Sequence, residues 1–73
     1  MYPIKDIVSE ITGKRYNPIE CVYIKNPVQT AKYIKYRLPL LDLIVGDDDK
    51  LTFVFDKESS KSLYQLWLTH ELK

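Results

Sequence analysis

The first apolar pattern along the chain has the spacing of a helix. Near the start, branched apolar residues recur at intervals of three and four positions: Ile4, Ile7, Val8 and Ile11. This spacing places them on one face of a short amphipathic helix, and Gly13 follows as a C-terminal stop. Asp6 can cap such a helix, although a short strand over residues 2–6 competes with it.

A strand and a second helix are predicted next. Residues 20–25 alternate in polarity and are rich in β-branched and aromatic types, which is typical of a strand. Asn26 and Pro27 favour a helix start, because asparagine is a strong N-cap and proline suits the first helical position. Pro39 ends this helix, since the residue before a proline avoids helical backbone angles. The face expected to pack on the sheet contains Val28, Ala31, Ile34 and Leu38.

A β-hairpin is predicted over residues 40–55. Its two apolar arms, residues 40–45 and 51–55, flank five residues of turn-forming type at 46–50. Alternation gives the arms one apolar face for helices to cover, formed by Leu41, Leu43, Val45, Leu51, Phe53 and Phe55. The opposite face is more polar and contains Asp42, Ile44, Thr52 and Val54.

A last helix is predicted over residues 57–72, with Asp56 as its N-cap. Its apolar arc is wide. One stripe, expected to lie on the sheet, contains Leu63, Leu66, Trp67 and His70. A neighbouring stripe contains Tyr64, Leu68 and Leu72. This second stripe either wraps the edge of the domain or is left for a partner.

Together these elements predict a single α+β domain over residues 1–73. It has a small three-stranded sheet with helices packed on one face, in the order α-β-α-β-β-α. A chain of 73 residues has room for one core only. The pattern leaves open whether the first strand runs parallel or antiparallel to the hairpin.

Charge is divided unevenly along the chain. Residues 1–41 carry seven basic and three acidic groups, whereas residues 42–73 carry four basic and seven acidic groups. The net charge of +1 therefore hides a basic first half and an acidic second half. Such asymmetry can steer a charged partner, it can favour head-to-tail contact between copies of the chain, or it can reflect solvated faces that differ.

No catalytic or ligand-binding constellation is indicated by the sequence. Cys21 is the only thiol and His70 the only histidine, which is too few for a zinc site within one chain. The acidic run at 47–49 lacks the spacing of a calcium loop and suits a solvated hairpin tip. The chain is therefore predicted to be no enzyme and to hold no metal or cofactor.

The lone cysteine and the apolar runs bear on location. One cysteine cannot form an internal disulfide, which favours a reducing, cytoplasmic environment. No apolar stretch approaches the roughly 20 residues that cross a bilayer, so no membrane association is predicted.

The most suggestive surface combines basic and aromatic residues on the predicted second helix: Lys32, Tyr33, Lys35, Tyr36 and Arg37. Cations that follow phosphates and rings that stack on bases suit single-stranded nucleic acid. Tyrosine and arginine also anchor protein interfaces. A third interpretation is a solubilising helix flank with tyrosines at the margin of the core.

Several motifs together resemble a known family. They are Tyr16-Asn17-Pro18, Cys21-Val22-Tyr23, Asn26-Pro27-Val28-Gln29 with Tyr33-Ile34, Leu41 and Leu43 around Asp42, Phe53-Val54-Phe55, and Leu63, Tyr64, Leu66 and Trp67 ahead of Glu71-Leu72. With them the chain resembles a family of short hypothetical proteins of Gram-positive gut bacteria, phages and mobile elements, which is similar to a phage-associated domain of unknown function. The resemblance covers nearly the whole chain and implies the fold and a mobile-element origin, but no activity.

One departure from that family concerns the end of the second helix. The relatives tend to have glycine near Arg37 or Leu38, whereas this chain has Pro39 just beyond. The resemblance therefore predicts a helix end that lacks the left-handed glycine cap.

The leading functional hypothesis is a non-enzymatic small binding module of phage or mobile-element origin that acts through protein–protein contact. Its predicted interface is the basic tyrosine flank or the stripe of Tyr64, Leu68 and Leu72. One alternative is a single-stranded nucleic-acid-binding module. The other is a structural homodimer formed through the last helix.

Overall fold

The computed structural model describes residues 6–73, and within them the chain forms five short strands and two helices. The strands are β1 (Ile7–Val8), β2 (Arg15–Tyr16), β3 (Cys21–Ile24), β4 (Asp42–Val45) and β5 (Leu51–Asp56). The helices are α1 (Pro27–Lys35) and α2 (Lys57–Leu68). A single turn of 3-10 helix, Pro18–Glu20, joins β2 to β3. From β3 onward the elements follow one another as β3, α1, β4, β5 and α2.

The main sheet has the order β3-β5-β4, and both pairings are antiparallel. Val54 of β5 lies opposite Tyr23 on one side and Asp42 on the other. Because both outer strands run antiparallel to β5, β3 and β4 run parallel to each other with β5 between them. The predicted hairpin is confirmed as β4 and β5, and its turn is closed by the Gly46 N–H, which donates to the Lys50 carbonyl at 2.9 Å.

Both helices cover one face of this sheet. The buried cluster between them and the sheet contains Ile24, Tyr33, Leu38, Phe55 and Leu72, with Val22, Leu40, Phe53, Leu63 and Trp67 at its margin. The rings of Tyr33 and Phe55 meet edge to face, with centroids 5.3 Å apart and planes at 72°. The predicted layering of helices on one face is therefore confirmed.

The other face is covered as well, which the sequence did not predict. β1 and β2 pair antiparallel as an N-terminal hairpin, and this hairpin lies over a second buried cluster formed by Tyr16, Cys21 and Val54. Leu41 packs against this second cluster. Its predicted position on the helix-covered face, beside Leu43, is wrong, because the chain reverses its alternation just before β4.

The predicted first helix is wrong for the part of it that the structure describes. Ile7 and Val8 lie in β1, and a turn follows at residues 10–12; Ile4 lies outside the described residues. The Ser9 hydroxyl accepts hydrogen bonds from the N–H groups of Ile11 and Thr12. Such side-chain bonds to nearby backbone compete with helix formation, and they favour the turn here.

The caps of α1 combine a confirmed prediction with an overturned one. The Asn26 side chain accepts from the Val28 N–H at 2.9 Å, as predicted for the N-cap. The helix ends at Lys35, before Pro39, and Arg37 takes the left-handed conformation at φ 64°. The Leu38 N–H then donates to the Tyr33 carbonyl at 3.1 Å. This is the cap that glycine usually forms, so the left-handed cap is present with an arginine in it.

α2 ends in the same way and earlier than predicted. Asp56 is its N-cap, as predicted, and accepts from the Ser59 N–H at 2.8 Å. The helix ends at Leu68, and His70 takes the left-handed conformation at φ 62°. The Glu71 N–H returns to the Leu66 carbonyl at 2.8 Å. The chain therefore turns back after α2 and does not continue the helix to residue 72.

The face of α1 that packs on the sheet differs from the predicted one. Its buried residues are Gln29, Thr30 and Tyr33, whereas Val28 and Ile34 are 55% and 48% exposed. Tyr33 occupies the core because its ring packs on Phe55 and its hydroxyl accepts from the Gln29 amide at 2.9 Å. A buried tyrosine needs such a partner. Of the predicted core face, only Leu38, beyond the helix, is buried.

Candidate functional site

Two of the predicted interaction residues are in the core. Tyr33 and Leu72 are 0% and 2% exposed, so their predicted place on a contact surface is wrong. Tyr33 was assigned to the outer flank of α1 because Val28 and Ile34 were expected inside. Leu72 was assigned to an exposed helical stripe, but the turn after α2 directs it inward.

Lys32 is engaged inside the molecule. Its ammonium donates to the Leu72 carbonyl at 3.0 Å and lies 5.4 Å from the centre of the Trp67 ring. These contacts attach the last residues of the chain to α1. A cation over an indole ring adds about 0.5–1 kcal/mol at an exposed site. Lys32 therefore has a structural role in this fold and is not a free surface cation.

The other three residues of the predicted basic and aromatic surface on α1 are exposed, but they do not form one patch with the basic residues before β3. Lys35, Tyr36 and Arg37 lie at the end of α1 and are exposed. Lys14 and Arg15 belong to the N-terminal hairpin, which covers the opposite face of the sheet. The structure thus leaves one exposed ring, Tyr36, beside two cations.

α2 keeps two of its predicted contact residues at the surface. Tyr64 and Leu68 are 46% and 53% exposed. They belong to the stripe that was predicted to wrap the edge or to serve a partner. Without Leu72, this stripe consists of a tyrosine and a leucine one helical turn apart.

A larger apolar surface lies on α1 and was missed because its residues were predicted to be core. Val28, Ala31 and Ile34 follow one another at intervals of three residues and are exposed. Val28 and Ala31 line a shallow groove with Pro27, Lys32, Lys35 and Lys73. The surface is thus a short apolar strip with lysines on its flanks. The apolar periodicity of the sequence indicated the strip, although not that it faces outward.

A deeper groove runs along β3 and has a volume of about 560 Å³. All six residues 21–26 line it, together with Gln29 and Tyr33 of α1 and Ser60 and Tyr64 of α2. The lining includes residues of β3 that face the helices and residues of β3 that face the N-terminal hairpin. The groove therefore follows the outer edge of β3, on the side away from β5.

The backbone along this groove has no strand partner among residues 6–73. β3 pairs with β5 on its inner side only. In an antiparallel pair every second residue of an edge strand directs its N–H and C=O outward. The groove thus combines unpaired backbone groups with a wall of helix side chains.

Charges of both signs surround the groove. Lys25 lines one end. An adjoining depression of about 320 Å³ shares Val22, Ser60 and Tyr64 with the groove. It adds two cations and one anion, Lys57, Lys61 and Glu58. A second depression shares Cys21 with the groove and adds Asp6, Glu20, Asp56 and Arg15, so the groove and its surroundings carry four basic and four acidic groups.

Cys21 and His70 lie far apart in the architecture. The Cys21 side chain is buried among Tyr16 and Val54 on the hairpin-covered face, whereas His70 follows α2 on the opposite face. The thiol donates to the Asn17 carbonyl at 3.2 Å, and burial raises its pKa. A thiol in this state is a poor nucleophile. Among the described residues no group of three or more histidine, cysteine, aspartate or glutamate side chains is placed to hold a metal ion.

Asp42 is a buried carboxylate that accepts three hydrogen bonds. Its carboxylate accepts from the Ser9 hydroxyl at 2.6 Å, the Tyr16 hydroxyl at 2.5 Å and the Leu43 N–H at 2.8 Å. Burial raises the pKa of this carboxyl, but the three donors outweigh burial and hold the pKa below its ordinary value. The network attaches the N-terminal hairpin to β4. It is a structural element and lies away from the groove along β3.

No family model, no curated protein and no solved structure matches this chain. The resemblance to short proteins of phages and mobile elements therefore stays a prediction. Within residues 6–73 no helix is long and apolar enough to cross a membrane.

Proposed function

We propose that this chain is a non-enzymatic binding module that acts by docking onto another protein. The groove along the outer edge of β3 supports this proposal most directly, because it offers unpaired strand backbone and an apolar wall to a partner. The exposed residues of α1 add apolar surface of the type that marks interaction sites. An origin in a phage or mobile element belongs to the same proposal and is supported by the resemblance alone.

We place its action in the cytoplasm. Cys21 is a buried free thiol, and cysteines stay unpaired most readily in reducing compartments. Its raised pKa and its bond to a backbone carbonyl suit a packing role.

The proposal can be tested by photo-cross-linking from single positions. A photoreactive phenylalanine analogue replaces Tyr64 in the groove wall, and a matched control replaces Asp47 at the exposed tip of the β4–β5 hairpin. Irradiation in a lysate of the source organism should give a discrete adduct from position 64 and none from position 47. A further probe at Ile34 tests the exposed strip of α1 in the same way. If neither position 64 nor position 34 gives an adduct above background, the docking proposal fails.

Single-stranded nucleic-acid binding is the alternative with an observation behind it. Lys35, Tyr36 and Arg37 form an exposed group of one ring between two cations. Binding through this group would weaken steeply with salt. A labelled oligonucleotide that shifts at low ionic strength with the wild-type protein, but not with Tyr36→Ala, would favour it over protein docking.

The homodimer alternative concerns α2. Leu68 is half exposed there, and a second copy could cover it. Light scattering over a range of concentrations would then show a mass that rises with concentration. The variant Leu68→Glu should return the protein to a monomer.

A further inference from the structure

We infer that the surface between α1 and the start of β5 binds an acidic amphipathic segment of a partner protein. This α1–β5 surface is formed by two adjoining depressions. The inference rests on the proposed docking function and names the chemistry of what docks. It follows from the shape of the surface, its apolar side chains and its charges.

The α1–β5 surface connects the exposed strip of α1 with the main sheet. One depression is the shallow groove along α1, of about 420 Å³, and the other lies between the start of α1 and β5 and has about 270 Å³. Pro27 lines both, so they adjoin. The first is lined by Pro27, Val28, Ala31, Lys32, Lys35 and Lys73, and the second by Lys25, Pro27, Lys50, Leu51 and Phe53.

The apolar side chains of this surface are open to a partner. Val28 and Leu51 are 55% and 42% exposed, and Ala31 is exposed as well. The lining is mostly aliphatic, with the half-buried Phe53 as its one ring, whereas single-stranded nucleic acid stacks on exposed rings. Side chains of a peptide can project into the depressions, but a planar lipid surface would rest on their rims. Shape and composition therefore favour a protein segment.

The charge at the centre of the surface is positive. Lys25, Lys32 and Lys35 line it and come from residues 21–41, a stretch that contains no acidic residue. Lys32 donates to a neutral group, the Leu72 carbonyl, at 3.0 Å, so this bond leaves its charge uncompensated. No carboxylate of the described residues lines either depression.

The margins of the surface carry both signs. Lys50 follows the acidic turn residues 47–49, and Lys73 follows Glu71 two positions earlier. The net charge of the surface therefore depends on the three central lysines. A partner segment with carboxylates beside aliphatic side chains would complement both the lysines and the apolar lining.

The test lets the surface select its own ligand from a defined probe. A phage-displayed library of random dodecapeptides is selected on the whole chain. The enriched peptides should have a net negative charge and should contain aliphatic residues. The same selection on the double variant Lys25→Gln with Lys35→Gln is the control and should lose this acidic set.

An enriched peptide, synthesised with a fluorescein label, then locates the site. Its affinity, measured by fluorescence anisotropy, should fall about tenfold in the Lys25→Gln and Lys35→Gln double variant, as expected for the loss of two exposed ion pairs. Lys14→Gln combined with Lys61→Gln makes the same charge change away from the surface and should leave the affinity unchanged. Nuclear magnetic resonance should show amide shifts concentrated at residues 25–35 and 50–53.

The apolar contribution has its own pair of variants. Val28→Thr keeps the branched shape of the side chain but adds a hydroxyl to the surface, and it should weaken binding several-fold. Ile44→Thr is the matched control, because Ile44 is exposed in β4 and does not line the surface.

Several outcomes would overturn the inference: no enriched peptide, enriched peptides that are not acidic, equal binding by the Lys25 and Lys35 double variant, or amide shifts elsewhere. Binding to vesicles of phosphatidylcholine and phosphatidylserine, or to labelled oligothymidylate, with no enriched peptide would identify a lipid surface or nucleic acid as the occupant instead. A concentration-dependent mass that is lost in the same double variant would identify a second copy.

The docking function is judged separately. If the library gives no acidic peptide but position 64 or position 34 gives a discrete adduct, the acidic segment is refuted and the docking function stands. Failure of both experiments would refute both.

Discussion

The two faces of the main sheet are covered by different means. On one face, helices α1 and α2 bury a cluster of aromatic and aliphatic side chains around Tyr33 and Phe55. On the other, the N-terminal hairpin buries a smaller cluster and is held by hydrogen bonds to Asp42. Apolar contact depends on area and shape, whereas the Asp42 network depends on a few directed bonds. The first cover is therefore expected to fail together with the whole fold, and the second to fail locally.

The largest effect is expected from Phe55→Ala. The substitution removes a fully buried ring and its edge-to-face contact with Tyr33. Truncation of a buried phenylalanine costs about 3–5 kcal/mol, which is comparable to the whole stability of many small domains. Urea denaturation followed by circular dichroism should show a protein that is largely unfolded without denaturant.

The matched control for Phe55 is Val45→Ala in the neighbouring strand. Val45 is 61% exposed, and exposed substitutions usually change the free energy of unfolding by less than about 0.5 kcal/mol. A loss below about 1 kcal/mol for Phe55→Ala would show that the helix-covered face does not carry the stability assigned to it.

A smaller and more local effect is expected from Asp42→Ala. The change leaves the hydroxyls of Ser9 and Tyr16 without their acceptor. Each unsatisfied buried polar group lowers the free energy of unfolding by about 1–3 kcal/mol. Amide hydrogen exchange should accelerate in residues 7–16 more than in β5. Asp47→Ala at the exposed hairpin tip is the control. Equal acceleration in β5 would mean that the N-terminal hairpin and the sheet open together.

Asp42 also makes the stability of the folded protein sensitive to acid. Asp42 and Asp56 have pKa values held below their ordinary values in the folded protein, Asp42 by hydroxyl and backbone donors and Asp56 first by the Ser59 N–H. The two carboxylates therefore bind protons more readily in the unfolded chain than in the folded protein. Their contribution to stability is present above the unfolded pKa of about 3.9 and is lost as pH falls through the lower folded pKa.

The acid sensitivity can be measured from urea midpoints between pH 7 and pH 3. The wild-type midpoint should hold until the pH approaches 4 and then fall, and Asp42→Asn should flatten that fall. The Asp56 contribution remains in this variant, so part of the slope should persist. A midpoint that rises on acidification would contradict the assignment.

The smallest effect is a gain in stability at the helix ends. Arg37 and His70 take positive φ angles, at which a side chain is strained and glycine is not. Arg37→Gly and His70→Gly should each raise the free energy of unfolding by about 0.5–1 kcal/mol. Arg37→Ala keeps the strained conformation and should give no such gain. The N-terminal hairpin already has glycine at its left-handed position, Gly13 at φ 73°.

The pattern of successes and failures in the fold follows the range of the interactions. The β4–β5 hairpin and the N-caps Asn26 and Asp56 could be predicted because their bonds close within a short segment. Strand β3 could be predicted from its own alternation of residue types, although its partner β5 lies far along the chain. The first helix could not, since the Ser9 hydroxyl and the two-stranded pairing of β1 with β2 offered its backbone another set of partners. Apolar spacing alone did not distinguish these outcomes.

Of the residues that line the groove along β3, only Tyr33 and Tyr64 belonged to the predicted interaction surface. Tyr64 and Leu68 were identified and are exposed. The groove beside them was not predicted, because it exists only where β5 lies between β3 and β4 and leaves the far edge of β3 open. The exposed strip at Val28 and Ile34 was likewise hidden by the assumption that these residues face the core.

The sequence by itself determined the three strands of the main sheet, where the two helices begin and that one buried surface would be shared between them. Only the tertiary structure decided which side of α1 turns inward, because that helix carries apolar residues on two sides. Tyr33 took the inner position through the ring of Phe55 and the amide of Gln29. Gln29 lies one turn earlier in the same helix, but the contact with Phe55 joins parts of the chain far apart in sequence, so no local pattern encodes it.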